Sequence, residues 1–335
     1  MDGTPEPAPD LTAPDPAAVD LTAVDLTAPF GGGTLPNPVS TASGCAGYGR
    51  EIARFQPLAE LGSITTRTIM PHPRAGQPTP RTAETPSGML NAVGLPGVGV
   101  EHFVEHELPW LAERGARVLV SVAGERVEEF AEIARLLVGR PGVVGIEANL
   151  ACPNHDNRGL AFGGNPATSY DVIAAVRETA DPRIPVYAKL TPDVTSVTEI
   201  AAACVKAGAD GLSMINTLLG MAVDTSTMRP ALAGESGGLS GPAIRPVAVR
   251  CVYQVHAAMR SGAVPQVPIM GMGGIRSGLD ALEFVLAGAS GVAVGTAVFN
   301  DPSAPLRVLA ELRAALAERG FSRFADAVGH AHRPS

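Results

Sequence analysis

The sequence predicts a (β/α)8 barrel. Short and almost wholly apolar runs recur along the chain, as expected of parallel strands covered on both faces. Between most of them lie stretches with helical periodicity. The runs number eight, the count at which a parallel sheet closes on itself with helices outside.

In order, the first strand is "PVSTA" (38–42) and the second "SITTRTI" (63–69), followed by one long excursion over roughly 70–110. The third strand, "VLVSV" (118–122), leads into helix 126–138, and the fourth, "GIEANL" (145–150), into helix 167–179. "VYAKL" (186–190) precedes helix 196–207, and "GLSMIN" (211–216) precedes helix 243–260. "PIMGM" (268–272) and helix 278–287, then "GVAVG" (291–295) and helix 303–319, complete the set. An open doubly wound sheet is the alternative. Against it, "GMGGIRSG" has Arg276 where a dinucleotide fingerprint needs its last glycine.

Ahead of the strands, residues 1–24 are rich in Asp, Pro, Ala and Thr, and "DLTA" occurs at 10, 20 and 25. With little apolar surface to offset ordering, 1–24 is expected to be a disordered tail rather than a docking element. Residues 25–335 are expected to form a single domain, opening with "DLTAPFGGGTLPNP" as a short hairpin.

Composition narrows the function. A net charge of −8 without a Lys/Arg block argues against a nucleic-acid surface, and 4% aromatic content argues against base-stacking platforms. The chain has no apolar run long enough to span a bilayer and no basic-then-apolar leader pattern. Cys45, Cys152, Cys204 and Cys251 are widely spaced, which favours a reduced, cytoplasmic setting without disulfides or metal ligation in this chain.

Barrel chemistry gathers where strands end. There the sequence places Ser43-Gly44, Arg67, Asn149 and Cys152, Lys189, Asn216-Thr217, Gly273-Gly274 and Gly295-Thr296. Glycines after the last two strands let backbone N–H groups approach a phosphate. The amides suit a planar heterocycle with donors and acceptors. No carboxylate pair or Ser/His/Asp set accompanies them, so Cys152, in "EANLACPN", is the evident proton acceptor. Phosphate, heterocycle and one base together suggest flavin chemistry: a proton leaves one carbon while hydride goes to the flavin.

The chain resembles the class 1 dihydroorotate dehydrogenases, most closely the 1B, NAD-linked branch. The matching stretches are "NPVSTASGCAGYGRE", "GQPTPRTAETPSGMLNAVGL", "EANLACPN", "YAKLTPDVT", "AGADGLSMINTLLGMAVD", "GGLSGPAIRPVA", "IMGMGGI" and "LAGASGVAVGTAVF", spanning about 36 to 302. The resemblance implies FMN in the barrel mouth, dihydroorotate oxidised to orotate in pyrimidine biosynthesis, and Cys152 as catalytic base. It implies substrate contacts from Arg67, Asn91, Gly94, Leu95, Asn149, Asn154, Asn216 and Thr217. FMN contacts would come from Ser43, Gly44, Arg67, Thr68, Ser121, Asn149, Lys189, Ile215, Gly241, Gly273, Gly274, Gly295 and Thr296. It further implies a homodimer and a second subunit carrying FAD and a [2Fe–2S] cluster.

Two positions depart from the family pattern. Arg67 stands where the family has lysine, and Ser121 where many relatives have asparagine. Arginine is a planar fork rather than a point charge, which motivates a second reading: a flavoenzyme acting on another dihydropyrimidine or small cyclic amide. A third is a flavin-binding subunit without catalysis, against which the retained Cys152 speaks. Cys45, Cys204 and Cys251 read as packing residues. "HFVEH" (102–106) matches a short zinc motif but falls on an outer helix without a clear third ligand.

Overall fold

A computed structural model describes residues 24–152 and 161–334. Its centre is an eight-stranded parallel sheet: β1 (Val39–Thr41), β2 (Ile64–Thr65), β3 (Val118–Val122), β4 (Val143–Asn149), β5 (Val186–Leu190), β6 (Gly211–Met214), β7 (Ile269–Met272) and β8 (Gly291–Val294). Neighbours pair in the order β1-β8-β7-β6-β5-β4-β3-β2. The circle closes through a parallel bridge between Ser40 and Ser63, reinforced by their hydroxyls at 2.7 Å and by Thr65 N–H donating to Thr41 Oγ1 at 3.0 Å. The (β/α)8 expectation therefore holds, with side chains completing the closure at its weakest seam.

Outside the strands lie α1 (Val100–His102, a π-helical turn Phe103–Glu107, and Leu108–Glu113), α2 (Val127–Leu136), α3 (Pro166–Thr179), α4 (Val197–Lys206), α5 (Arg245–Arg260), α6 (Gly278–Ala287) and α7 (Ala304–Glu318). Their starts follow capping rules. Asn165 Oδ1 accepts from Ala167 N–H with Pro166 behind it, and Ser277 and Asp280 form a capping box on α6. Between β1 and β2 two 3-10 turns, Ile52–Arg54 and Leu58–Glu60, take the place of a helix.

The antiparallel hairpin Ala28–Phe30/Gly33–Leu35 precedes β1 and seals the N-terminal end of the barrel. Phe30 stacks on Tyr187 inside the barrel, with centroids 4.7 Å apart, and packs in one cluster with Leu35, Leu119, Met270 and Ala293. Burying such a ring stabilises the fold by roughly 1.5–3 kcal/mol. The hairpin's Phe30 and Leu35 thus help fill the barrel from its N-terminal end.

Over the strands' C-terminal ends sits a four-stranded antiparallel sheet, ordered Leu218–Met221, Ser236–Ser240, Gly88–Asn91, Thr82–Thr85. The sequence reading foresaw the excursion after β2. It did not foresee the second one, after β6, which supplies the other half of this roof. Expected strand 63–69 is regular only at Ile64–Thr65, with further isolated bridges at Ser63 and Ile69, and expected strand 211–216 ends at Met214. No helix among the described residues is long and apolar enough to cross a membrane.

Candidate active site

Roof and strand ends enclose a cleft in two joined parts. The first is lined by Ser43, Gly44, Arg67, Thr68, Asn91, Gly94, Leu95, Asn149, Asn216, Thr217 and Thr296. The second is lined by Gly241, Gly274, Gly295 and Thr296, among others. Met89, Thr296 and Phe299 border both parts, which makes one elongated cleft. Most residues named from the sequence therefore meet on one wall. Gly273, Ile215, Ser121, Lys189 and Cys152 are not among the residues lining it, and Asn154 lies outside the described residues.

The first part carries a hydrogen-bond ladder running across strands that are distant in sequence. Ser121 Oγ lies 3.0 Å from Thr68 Oγ1, and Asn149 Nδ2 donates to Thr68 Oγ1 at 3.3 Å. Asn216 Nδ2 donates to Asn149 Oδ1 at 3.1 Å. Backbone N–H groups fix which way the amides face, because an N–H can only donate. Ala151 N–H donates to Asn149 Oδ1 at 3.2 Å, and Thr217 N–H to Asn216 Oδ1 at 2.8 Å. Ser121 is fully buried and acts through Thr68 rather than at the wall.

That Ala151 contact is an Asx-type turn. It ends β4 and turns the chain toward Cys152. Cys152 is 4% exposed, and burial pushes its thiol up to about 12, opposed weakly by Arg74 and reinforced by Glu125. Those two side chains pair at 2.6 Å. At neutral pH Cys152 is therefore mainly a thiol rather than a thiolate. Cys45, which the sequence suggested was packing, also lines the cleft, and burial raises it to about 11.

Arg67 lies on the cleft wall, and its Nη1 donates to Pro96 O at 3.4 Å. The guanidinium is thereby directed along the loop that holds Gly94 and Leu95, both at positive φ. Lys189 is buried on β5. Its Nζ lies 2.9 Å from Met272 Sδ, and no oxygen acceptor among the described residues is within hydrogen-bond reach.

At the other end, Gly274 (φ +81) has no room for a side chain: a Cβ there would lie 2.7 Å from Gly241 O and 3.0 Å from Arg245 Cβ. Thr296 Oγ1 donates to Ser240 Oγ at 2.8 Å, tying the roof to the end of β8. Gly44 (φ +84) differs, since nothing lies within 4 Å of the position its Cβ would take. Backbone exposed at Gly241, Gly274 and Gly295 suits a phosphate, and the amide end suits a flat heterocycle. The under-partnered Lys189 ammonium calls for an acceptor from outside the chain. These residues fit a flavin mononucleotide.

A model of the dihydroorotate dehydrogenase family matches residues 25–316. The chain belongs to the dihydroorotate dehydrogenase family. Membership makes it an oxidoreductase, and it agrees with the resemblance read from the motifs. Similar proteins include those of Anoxybacillus flavithermus and Geobacillus sp., each 47% identical over 88% of this chain and 92% of their own length. The protein of Bacillus cytotoxicus is 48% identical over 88% of this chain and 93% of its own. Each is named dihydroorotate dehydrogenase B (NAD(+)), catalytic subunit.

The zinc-like "HFVEH" stretch lies on α1, where the rings of His102 and His106 stand 4.4 Å apart. Among the described residues no group of three His, Cys, Asp or Glu side chains is arranged to hold a metal ion. All four cysteines are free.

Proposed function

We propose that this member of the dihydroorotate dehydrogenase family is the FMN-containing catalytic subunit of a two-subunit, NAD-linked enzyme that oxidises dihydroorotate to orotate. The observation that carries this reading is the elongated cleft, with its amide ladder at one end and bare glycine backbone at the other. FMN, when bound, supplies the hydride acceptor. Gly241, Gly273, Gly274, Gly295 and Thr296 would hold its phosphate. Ser43, Gly44, Thr68, Ile215 and Lys189 would hold its ring and side chain, with Ser121 bracing Thr68.

Asn91, Gly94, Leu95, Asn149, Asn154, Asn216 and Thr217 would orient dihydroorotate. Arg67, the cation among the described residues that line this part of the cleft, would face its carboxylate. The thiolate form of Cys152, the minor form at neutral pH, would take one C–H proton while hydride leaves the neighbouring carbon for the flavin, and the electron pair of the broken C–H bond would form the ring double bond. The roof excludes water from that transfer. Electrons would then leave through a second subunit, as the relatives' description as catalytic subunits suggests; that it bears FAD and a [2Fe–2S] cluster follows from the family resemblance. A homodimer of the single barrel domain 25–335, preceded by the 1–24 extension and working in the cytoplasm, completes the proposal.

The test is an anaerobic titration. The purified protein should carry or accept one FMN per chain, and dihydroorotate should bleach its oxidised-flavin absorbance. A protein that binds FMN but is bleached only by other dihydropyrimidines would overturn the substrate. One that cannot be reconstituted with FMN would overturn the whole reading.

A further inference from the structure

Alternation along β4 puts Gly145, Glu147 and Asn149 on the barrel's inner side. Gly145 lies against Phe30 in the plug, and Asn149 reaches the cleft. Glu147 sits between them, with none of its surface exposed, and neither carboxylate oxygen has a hydrogen-bond partner. A buried carboxylate without partners is strongly unfavourable. Its ion-pair partner among the described residues is Lys189, with Nζ 4.0 Å from Oε2 and both side chains almost wholly buried.

Lys189 in turn has only a thioether within hydrogen-bond distance, and Ser213, its register neighbour on β6, keeps an unpartnered hydroxyl. The ammonium is therefore suspended between a carboxylate below and the cleft above. It is tightly bonded to neither.

We propose that Glu147 is a positioning residue that holds Lys189 beneath the flavin and offsets part of its charge, setting the reduction potential of the bound cofactor. This rests on the FMN reading above. A lone buried ammonium beside a flavin favours the electron-rich reduced form, and a carboxylate 4.0 Å away weakens that preference. Glu147 touches neither substrate nor cofactor in this scheme and acts through Lys189.

The experiment measures the potential of bound FMN by equilibration with a reference dye, alongside the melting temperature of the flavin-free protein. Glu147→Gln should favour reduced over oxidised flavin by about tenfold, a shift of roughly 30 mV to more positive potential for a two-electron couple. Lys189→Met should shift it the other way, and Glu147→Gln added to Lys189→Met should shift it by less than half as much. An unchanged potential in Glu147→Gln, or an equal shift in both backgrounds, would overturn the proposal.

Stability supplies the arm that needs no flavin. Lys189→Met leaves a buried carboxylate alone, so the double variant, with neither charge, should melt higher than Lys189→Met. A double variant melting no higher would overturn the pairing, even if Glu147→Gln alone failed to fold. Failure of the parent protein to take up FMN would instead overturn the functional reading, leaving the pairing to be judged by melting.

Discussion

Replacing Gly44 by alanine separates cofactor contact from protein packing. Gly44 adopts φ +84, and a Cβ built there meets nothing within 4 Å, although the residue lines the cleft. Holding an L-residue in the left-handed region costs about 1–2 kcal/mol, and the stiffer unfolded chain returns about 0.4–1 kcal/mol. The flavin-free protein should therefore lose between roughly 0 and 1.6 kcal/mol. With FMN seated against Gly44, the new methyl occupies space the cofactor needs, and overpacking of that kind costs about 1–3 kcal/mol. At roughly 1.4 kcal/mol per tenfold, FMN should bind about 5- to 150-fold more weakly. Quenching of flavin fluorescence on titration into the apoprotein measures the affinity, and urea unfolding measures the stability. Gly274→Ala is the contrasting control: its methyl would strike Gly241 O and Arg245 Cβ, so the apoprotein itself should be destabilised. Unchanged FMN affinity in a well-folded Gly44→Ala protein would refute the placement of the flavin along this wall.

Cys152→Ala should retain FMN and lose about 10²–10⁴ in the rate at which dihydroorotate bleaches it, read by stopped flow. Because burial holds that thiol up at about 12, the parent's bleaching rate should rise with pH from neutral to alkaline, and a flat profile would show that another group takes the proton. Stability should behave oppositely. Burial raises Cys204 from 9.0 to about 12, so its contribution is complete below pH 9 and is lost as pH rises toward 12, by at most about 1.4 kcal/mol per pH unit. Urea midpoints at pH 8 and 10.5 should fall less in Cys204→Ala than in the parent. Arg67→Ala should raise KM for dihydroorotate about 10- to 100-fold, the loss of a charge-assisted hydrogen bond, with Arg67→Lys recovering most of it. A lysine variant markedly faster than the parent would show that arginine at this position impairs dihydroorotate oxidation.

The barrel was legible because its strands are short apolar runs whose burial on both faces leaves no polar alternation to confuse them, as in Val118–Val122 and Val186–Leu190. The second half of the roof was not. Ser236–Ser240 reads "SGGLS", with little strand propensity, and forms a strand because it is held between two neighbours. Its glycines are required by contact: a Cβ at Gly237 would lie 2.5 Å from Asn91 O, and one at Gly238 would run into Thr217. Such requirements arise between separate segments, in the case of Gly237 and Asn91 far apart in the chain, where local pattern carries no signal. Strand-end residues were legible for the converse reason, since their place follows from the topology alone. The ladder through Ser121, Thr68, Asn149 and Asn216 depends on register between strands, and Glu147 was passed over because one acidic residue inside an apolar run has no pattern of its own.

The ladder also constrains what Asn149 and Asn216 can meet in the cleft. An asparagine side chain offers two acceptor positions and two donor hydrogens. Asn149 uses both acceptor positions, for Ala151 N–H and Asn216 Nδ2, and one donor, to Thr68 Oγ1. One N–H remains, so whatever meets Asn149 in the cleft must accept. Asn216 uses one donor and one acceptor position and keeps one of each. A ligand satisfying both therefore presents a carbonyl or ring nitrogen to Asn149 and, to Asn216, a donor and acceptor side by side. A cyclic imide edge, N–H flanked by C=O, has that pattern, and it occurs in both the isoalloxazine ring and a dihydropyrimidine. The amides thus select the class of ring. Gly44, Arg67 and the loop at Gly94 and Leu95 must then decide which ring lies deeper and which lies against Cys152.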